Sequence, residues 1–313
     1  MKKIAFVFPG QGSQSVGMAR GFFNEFEVAR KTFEEANSAL GFDIAAISFD
    51  GPSELLDKTE NTQPALLTAS VAMLRVLRER TSVVPAFYAG HSLGEYSALV
   101  ATGAMDFAEA VSLVNKRGVF MQEGVPQGVG KMCAILGLDI ATVRLICESA
   151  SIDVARVVPA NINSPEQIVI SGHAAAVDIA AGYAKDKGAK RVIPLQVSAP
   201  SHSPLMEGAA LRLAAALEDV EVKDFSVPVV TNVEAAPTTD ATRIKGLLVA
   251  QLTSPVRWVE VIGRMKMEGV TDIVEIGPGK VLTGLVKRID REINTYNLTE
   301  TSDLEKVIEA AGL

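Results

Sequence analysis

The stretch that decides the fold is Val84-Pro85-Ala86-Phe87-Tyr88-Ala89-Gly90-His91-Ser92-Leu93-Gly94. Its apolar first half predicts a buried strand, and the residues that follow, as far as Ala101, predict a helix. Between the two lies Gly-x-Ser-x-Gly, a motif that requires a sharp turn from strand to helix. We therefore predict that the Ser92 hydroxyl lies at the N-terminus of a helix, where free N–H groups favour developing negative charge.

Apolar runs alternate with helical patterns on both sides of this turn, which predicts an α/β fold with a parallel sheet. The predicted strands of this body are Lys3–Phe8, Val84–Ala89, residues 227–231 and residues 272–276. Its predicted helices are Gln63–Arg80, the segment after Ser92, Asp106–Glu123, and residues 240–252 and 257–267.

The middle of the chain has a different order of predicted strands and helices. It predicts strands at 131–137, 154–160, 167–172 and 190–195, with helices at 139–150 and 173–187. This β-α-β-β-α-β order is that of a ferredoxin-like unit, whose middle strands are joined by a turn at Asn161–Pro165. We therefore predict an inserted subdomain at 127–197 within a catalytic body formed by 1–126 and 198–313.

Composition excludes several classes of function. The 313 residues carry a net charge of −7 and only 5% aromatic residues, which is unlike a nucleic-acid-binding protein. No apolar run is long enough to span a membrane, and Ile4–Phe8 is too short for a signal peptide, so we expect a cytoplasmic protein. Cys133 and Cys147 lack metal-type spacing, so we expect neither a disulfide framework nor a zinc site. We also expect no cofactor.

A serine nucleophile needs a base, and the chain contains three histidines. His91 adjoins the serine at a turn that directs its side chain away, and His173 begins a predicted helix. His202 lies in an irregular loop rich in proline and serine, the usual setting of catalytic residues. Elimination favours His202, and its distance from Ser92 in the sequence favours an orienting group other than a carboxylate.

One charge falls within an apolar helical stripe. Arg117 shares its face with Ala110, Leu113, Val114 and Met121. A buried guanidinium is costly unless it is paired, so an internal ion pair, a side chain that reaches solvent and a site for a substrate carboxylate all remain open. The adjacent Gly118 is expected to leave room for a ligand.

Six segments together resemble one enzyme family. In the order in which the family has them, they are Phe8–Gln14, Gly90–Tyr96, Asn161–Pro165, Ser201-His202, Gln251–Trp258 and Glu275–Gly279. Through them the chain is similar to malonyl-CoA:acyl carrier protein transacylases, the stand-alone enzymes of dissociated fatty acid synthesis. The resemblance implies an α/β-hydrolase-like body with a ferredoxin-like insert.

The resemblance also implies roles for individual residues. Ser92 would carry the malonyl ester, with His202 as its base and the backbone carbonyl of Gln251 orienting that histidine. The backbone N–H groups of Gln11 and Leu93 would form the oxyanion hole.

For Arg117 the resemblance implies that it holds the malonyl carboxylate. The expected partners are malonyl-CoA and acyl carrier protein, and the expected reaction is a ping-pong acyl transfer. Two alternatives stay open: a thioesterase or other serine hydrolase that gives the acyl group to water, and a binding module with a degenerate site. The segment Gly10-Gln11-Gly12 is not a dinucleotide loop, since Ser15 replaces the last glycine of G-x-G-x-x-G.

Overall fold

A computed structural model describes residues 2–195 and 199–313 and shows a mixed α/β fold with one mainly parallel sheet and one antiparallel sheet. The boundary predicted between residues 197 and 198 lies outside the described residues. Among the described helices, none is both long and apolar enough to cross a membrane.

The described strands are β1 Ile4–Phe8, β2 Phe87–Gly90, β3 Gly130–Leu136, β4 Val157–Ser164, β5 Gln167–His173, β6 Arg191–Pro194, β7 Val229–Val230, β8 Pro237–Thr238, β9 Asp272–Ile276 and β10 Asn294–Leu298. The described α-helices are α1 Arg20–Glu25, α2 Glu27–Leu40, α3 Ile44–Asp50, α4 Ser53–Leu56, α5 Thr59–Arg80, α6 Gly94–Thr102, α7 Phe107–Glu123, α8 Ile140–Ala150, α9 Ala174–Asp186, α10 Glu207–Glu218, α11 Ala241–Gln251, α12 Trp258–Met267, α13 Val281–Ile289 and α14 Leu304–Ala311. Short 3₁₀ turns lie at Pro204–Met206 and Thr301–Asp303.

The larger sheet has the strand order β10-β9-β1-β2-β7-β8. All neighbouring pairs are parallel except β7 and β8, which run antiparallel at one edge. Parallel strands bring their carboxyl ends to the same edge of a sheet, which is where α/β proteins place their ligands. The loops after β1, β2 and β7 therefore meet, and each of them carries a residue of the site described below.

Helices cover both faces of this sheet, as its continuous apolar strands require. Five fully buried residues form β1, and their side chains alternate between the two apolar clusters of the body. Helices α5, α6 and α7 contribute to the cluster on one face, and α12 and α13 to that on the other. The nucleophile turn is thus held between two packed layers.

The smaller sheet has the order β4-β5-β3-β6, and every neighbouring pair is antiparallel. Helices α8 and α9 pack against it around an apolar cluster of its own. One boundary was wrong: the predicted turn at Asn161–Pro165 is mostly strand, because β4 continues to Ser164. The extension is explained by a backbone hydrogen bond from Ile162 to Val256, which ties the end of β4 to the body.

Candidate active site

Ser92 lies at the predicted turn between β2 and α6, with the left-handed backbone angle φ of 50°. The flanking glycines make that turn possible. A Cβ atom on Gly90 would lie 1.9 Å from the carbonyl carbon of Gly94, and one on Gly94 would lie 2.1 Å from the Phe8 carbonyl oxygen. Any larger residue at either position would push the turn away from the sheet, so the motif follows from close backbone approach.

His202 completes a hydrogen-bonded pair with the serine. Its Nε2 lies 2.9 Å from Ser92 Oγ, and its Nδ1 lies 2.7 Å from the backbone oxygen of Gln251. A carbonyl oxygen can only accept, so Nδ1 carries the proton. In the neutral ring Nε2 is then the acceptor for the serine hydroxyl, which is the arrangement of a general base.

The surroundings keep His202 neutral. His202 lies between residues 199–201 and the 3₁₀ turn Pro204–Met206, and its side chain is buried. Burial, with a further contribution from the positive charge of Arg117, lowers the pKa of His202 to about 3. A base that is neutral at pH 7 is ready to take a proton from Ser92.

The other two histidines point elsewhere, as the sequence predicts. His91 Nε2 lies 2.8 Å from Asn163 Oδ1, and the ring meets Trp258 edge-on. His173 precedes α9, and its Nδ1 contacts the backbone of Arg156. Neither ring takes part in the hydrogen bond to Ser92.

Arg117 is fully buried in α7, close to the serine. Its Nη1 donates to Gln63 Oε1 at 2.6 Å and its Nη2 to Gln251 Oε1 at 3.0 Å. Nη2 is also 3.5 Å from Ser92 Oγ, and the guanidinium lies over the ring of Tyr96 at 5.5 Å. The guanidinium is therefore oriented by neutral groups beside the nucleophile.

The structure excludes two of the three interpretations of Arg117 that the sequence left open. Full burial rules out a side chain that reaches solvent, and no carboxylate among the described residues forms an ion pair with it. The expectation that Gly118 leaves room for a ligand was wrong. A Cβ there would lie 2.5 Å from Glu60 Cα, so Gly118 instead allows α7 to pack closely on α5.

Gln11 and Leu93 lie on adjoining loops. A Cβ on Gly10 would lie 2.3 Å from the His91 carbonyl oxygen, so the loop after β1 packs directly on the nucleophile turn. Within the described residues, the backbone N–H groups of Gln11 and Leu93 donate no hydrogen bond. Leu93 directly follows the serine and Gln11 lies on the loop that packs on its turn, so both N–H groups remain candidates for the oxyanion donors that the resemblance implies.

A chain of side-chain hydrogen bonds joins this loop to the guanidinium. Thr59 Oγ1 donates to Gln11 Oε1 at 2.9 Å and accepts from Gln63 Nε2 at 3.2 Å. The Oε1 atom of Gln63 is the one that accepts from Arg117. The loop carrying the Gln11 N–H and the group next to the serine are thus positioned together.

Sequence reasoning missed three polar residues of this site: Gln63, Glu95 and Asn232. Asn232 Oδ1 accepts from the Ser92 N–H at 2.7 Å, and its Nδ2 donates to the Gly90 carbonyl at 2.7 Å, which clamps the strained turn. Each is a common polar residue in a helix or loop. Only Glu95 carried a signal, as part of the Gly90–Tyr96 segment.

The described residues contain no cluster of three or more histidine, cysteine, aspartate or glutamate side chains suited to a metal ion. Cys133 on β3 and Cys147 on α8 are buried free thiols. Burial raises the pKa of the Cys147 thiol to about 12, which makes it unreactive at neutral pH.

Comparison with known proteins gives one consistent result. A family model for the acyl transferase domain matches residues 5–304. The malonyl CoA-acyl carrier protein transacylase of Escherichia coli (strain K12) is 49% identical over 309 residues, which is 99% of this chain and 100% of the relative.

Solved structures agree with this result. An acyl carrier protein S-malonyltransferase from Vibrio cholerae has a TM-score of 0.95 and 47% identity, covering 98% of this chain and 100% of the other. A malonyl-transacylase solved in complex with its type II PKS acyl-carrier protein has a TM-score of 0.96 and 46% identity, covering 99% and 100%. The chain therefore belongs to the acyl transferase family, among its malonyl-CoA–acyl carrier protein transacylases.

Proposed function

We propose that the protein moves a malonyl group from malonyl-CoA to the phosphopantetheine thiol of acyl carrier protein, supplying the extender unit for fatty acid synthesis. The observation that carries this proposal is Arg117, a fully buried guanidinium with neutral partners 3.5 Å from Ser92 Oγ. A buried guanidinium without a direct ion pair is expensive, and a carboxylate held by its planar fork offsets that cost. A malonyl group presents such a carboxylate next to its thioester.

The first half-reaction loads the serine. Ser92 Oγ attacks the thioester carbonyl while His202 Nε2 accepts the hydroxyl proton, and the carbonyl oxygen becomes an oxyanion near the N–H groups of Gln11 and Leu93. One such donor is typically worth about 3 kcal/mol of transition-state stabilisation. When the C–S bond breaks, the coenzyme A sulfur takes the proton from His202 and leaves the malonyl ester on Ser92.

The second half-reaction runs the same steps in reverse with a new thiol. The phosphopantetheine S–H gives its proton to His202, and the sulfur attacks the ester carbonyl. Collapse of the oxyanion breaks the bond to Ser92 Oγ, which recovers the proton from His202. The backbone carbonyl of Gln251 keeps the ring in one tautomer through both halves.

The alternative of a serine hydrolase shares the serine, the base and the oxyanion donors. It is not favoured, because relatives that share almost the whole chain are named transacylases. The difference between the two reactions is whether the second acceptor is a thiol or water.

We further propose an α/β-hydrolase-like body, 1–126 and 198–313, with a ferredoxin-like insert at 127–197. The serine turn directly after a parallel strand supports the first part, and the order β4-β5-β3-β6 with two crossing helices supports the second. A separate apolar cluster in the insert supports its independence. The cytoplasmic location stays a prediction.

The test is to load the enzyme with malonyl-CoA, remove free coenzyme A, and add acyl carrier protein with or without its phosphopantetheine arm. We expect rapid discharge of the malonyl group onto the form that bears the thiol, and slow loss otherwise. Equal loss in both samples, with free malonate as the product, would identify a hydrolase.

A further inference from the structure

Glu95 is a buried carboxyl that the mechanism above does not use. It lies in the first turn of α6, three residues beyond the nucleophile, and only 2% of its surface is exposed. Burial raises its pKa to about 7, against the opposing effects of its hydrogen bonds and of Arg117. A fold retains such a costly group when its contacts serve a purpose.

Its Oε2 atom contacts the two residues that hold the site together. It accepts from the backbone N–H of Asn232 at 3.0 Å and from Gln251 Nε2 at 2.9 Å. Asn232 is the residue that clamps both sides of the turn around Ser92. By accepting the Asn232 N–H, Glu95 therefore helps to hold Asn232 in place against the turn around Ser92.

Gln251 connects Glu95 to the rest of the site. Its Nε2 also donates to the Ser92 carbonyl at 3.1 Å, and its backbone oxygen accepts from His202. Its Oε1 accepts from Arg117 at 3.0 Å. Through its side-chain amide and its backbone oxygen, Gln251 thus contacts the serine, the guanidinium and the histidine base.

The orientation of this amide depends on Glu95. An arginine can only donate, so the Gln251 atom next to it must be oxygen. The NH₂ group then faces Glu95, which supplies the matching acceptor. Without that acceptor the Gln251 NH₂ group would keep only its hydrogen bond to the Ser92 carbonyl, so one of the two hydrogen bonds of this group that fix the amide plane toward Arg117 would be lost.

We propose that Glu95 is a positioning residue which, through the Gln251 amide, sets the guanidinium of Arg117 for a carboxylate-bearing acyl group and so contributes to acyl selectivity. The inference rests on the proposed malonyl transfer. Glu95 itself does not touch the acyl group. Its loss should therefore reduce the preference for malonyl over acetyl donors, beyond any general loss of activity.

The test compares the kcat/KM of serine loading with malonyl-CoA and with acetyl-CoA in four proteins: wild type, Glu95→Ala, Glu95→Gln and Ser97→Ala. Glu95→Ala should lower the malonyl-to-acetyl ratio by about 10-fold or more, the size expected for a lost hydrogen bond to a charged group. Glu95→Gln keeps one oxygen that can accept both hydrogen bonds, so its ratio should stay within about 3-fold of wild type.

Ser97→Ala is the matched control. Ser97 is buried on the same helix, and its hydroxyl has no hydrogen-bond partner among the described residues. Its removal should leave the ratio unchanged. If Glu95→Ala does not fold, Glu95→Asp replaces it, because the shorter side chain keeps the charge but withdraws the acceptor from Gln251.

The possible results distinguish a failure of the inference about Glu95 from a failure of the proposed function. Equal losses for both donors in Glu95→Ala, or in Glu95→Asp if the first does not fold, would mean a purely structural role and would overturn the inference. A Gln variant as unselective as the Ala variant would also overturn it, since its hydrogen bonds are kept. Absence of a malonyl ester in the wild type would instead contradict the proposed function.

Discussion

Among single residues, Arg117 has the most direct part in the proposed selectivity for malonyl groups. Arg117→Ala removes the proposed partner of the malonyl carboxylate but leaves the Ser92–His202 pair in place. We expect loading from malonyl-CoA to fall by roughly 10- to 100-fold more than loading from acetyl-CoA, the range of a hydrogen bond to a charged group. Competition between the two donors measures the ratio, and equal losses would remove Arg117 from this role.

Arg117→Lys gives a graded control. A lysine keeps the positive charge but cannot bind Gln63, Gln251 and a carboxylate with one planar fork. Its malonyl preference should fall between those of the wild type and the alanine variant.

The pH dependence of loading reports the state of His202. Because burial and Arg117 lower its pKa to about 3, from the ordinary 6.5, the neutral base persists as the pH falls. We expect kcat/KM for loading to lose no activity to histidine protonation between pH 7 and pH 5. A profile that fell tenfold per unit below pH 6.5 both in the wild type and in Glu95→Gln, which removes the buried carboxyl that titrates near pH 7, would show that His202 keeps an ordinary pKa.

At the residue scale, the sequence predicted the Ser92–His202 pair but few of the residues that hold it in place. Ser92 followed from a motif with a strict backbone requirement, and His202 from elimination among three histidines. Gln251 came only through family resemblance, because its catalytic atom is a backbone oxygen, which every residue has. Asn232 is 140 positions from the serine it clamps, and no local pattern encodes such a contact.

Among the elements, the turn between β2 and α6 leaves no room for a side chain at Gly90. Gly90→Ala would place a methyl group 1.9 Å from the Gly94 backbone, so either the turn or the sheet must move. We expect loss of loading activity and a melting temperature lower by several degrees, as for other severe backbone strain. Calorimetry and the loading assay measure the two effects.

Gly182→Ala is the control for this change. Gly182 lies on an exposed face of α9, where a new Cβ meets nothing within 4 Å. Alanine favours a helix by about 0.5–1 kcal/mol over glycine, so this variant should be active and slightly more stable. Equal behaviour of the two variants would contradict the steric explanation of the motif.

The helices were predicted unevenly. Helix α7 begins and ends within one residue of its predicted bounds, because its apolar stripe runs for 17 residues and Asp106 caps it. The four helices between Arg20 and Leu56 were not predicted. Three of them have seven residues or fewer, but α2 has 14 and was missed although it is longer than the predicted α8, which has 11. Edge strand β10 was also missed, because Asn294–Leu298 is largely polar and only partly buried.

For the whole molecule, the buried site should make stability depend on pH. The pKa of His202 is lowered in the folded state, so the unfolded chain binds a proton more readily between the ordinary 6.5 and about 3. Its contribution to stability is present above pH 6.5 and is lost as the pH falls through that window. Glu95, with its pKa raised from 4.5 to about 7, acts in the opposite direction.

The difference between two proteins isolates the histidine. We expect the free energy of unfolding of the wild type, minus that of His202→Gln, to decrease as the pH falls from 6.5 toward 4. Urea titrations at several pH values measure it. A difference that does not vary with pH would mean that His202 is protonated equally in both states.

The architecture itself was predictable because the patterns of strands and helices along the chain all indicate the same arrangement of sheets. Alternating strands and helices indicated the parallel sheet, and the change of rhythm after residue 126 indicated a second sheet. The contacts between the parts of the chain that carry the two sheets were not predictable. It depends on contacts such as His91 with Asn163 and Ile162 with Val256, which join residues far apart in the sequence.

The most direct test of the mechanism is the intact mass of the protein after mixing with malonyl-CoA, with Ser92→Ala beside it. We expect the wild type to gain one malonyl group, peptide mapping to place it on Ser92, and the variant to gain none. A variant that still became malonylated, or a wild type that formed no adduct, would contradict the assignment of Ser92 as the acyl-carrying nucleophile.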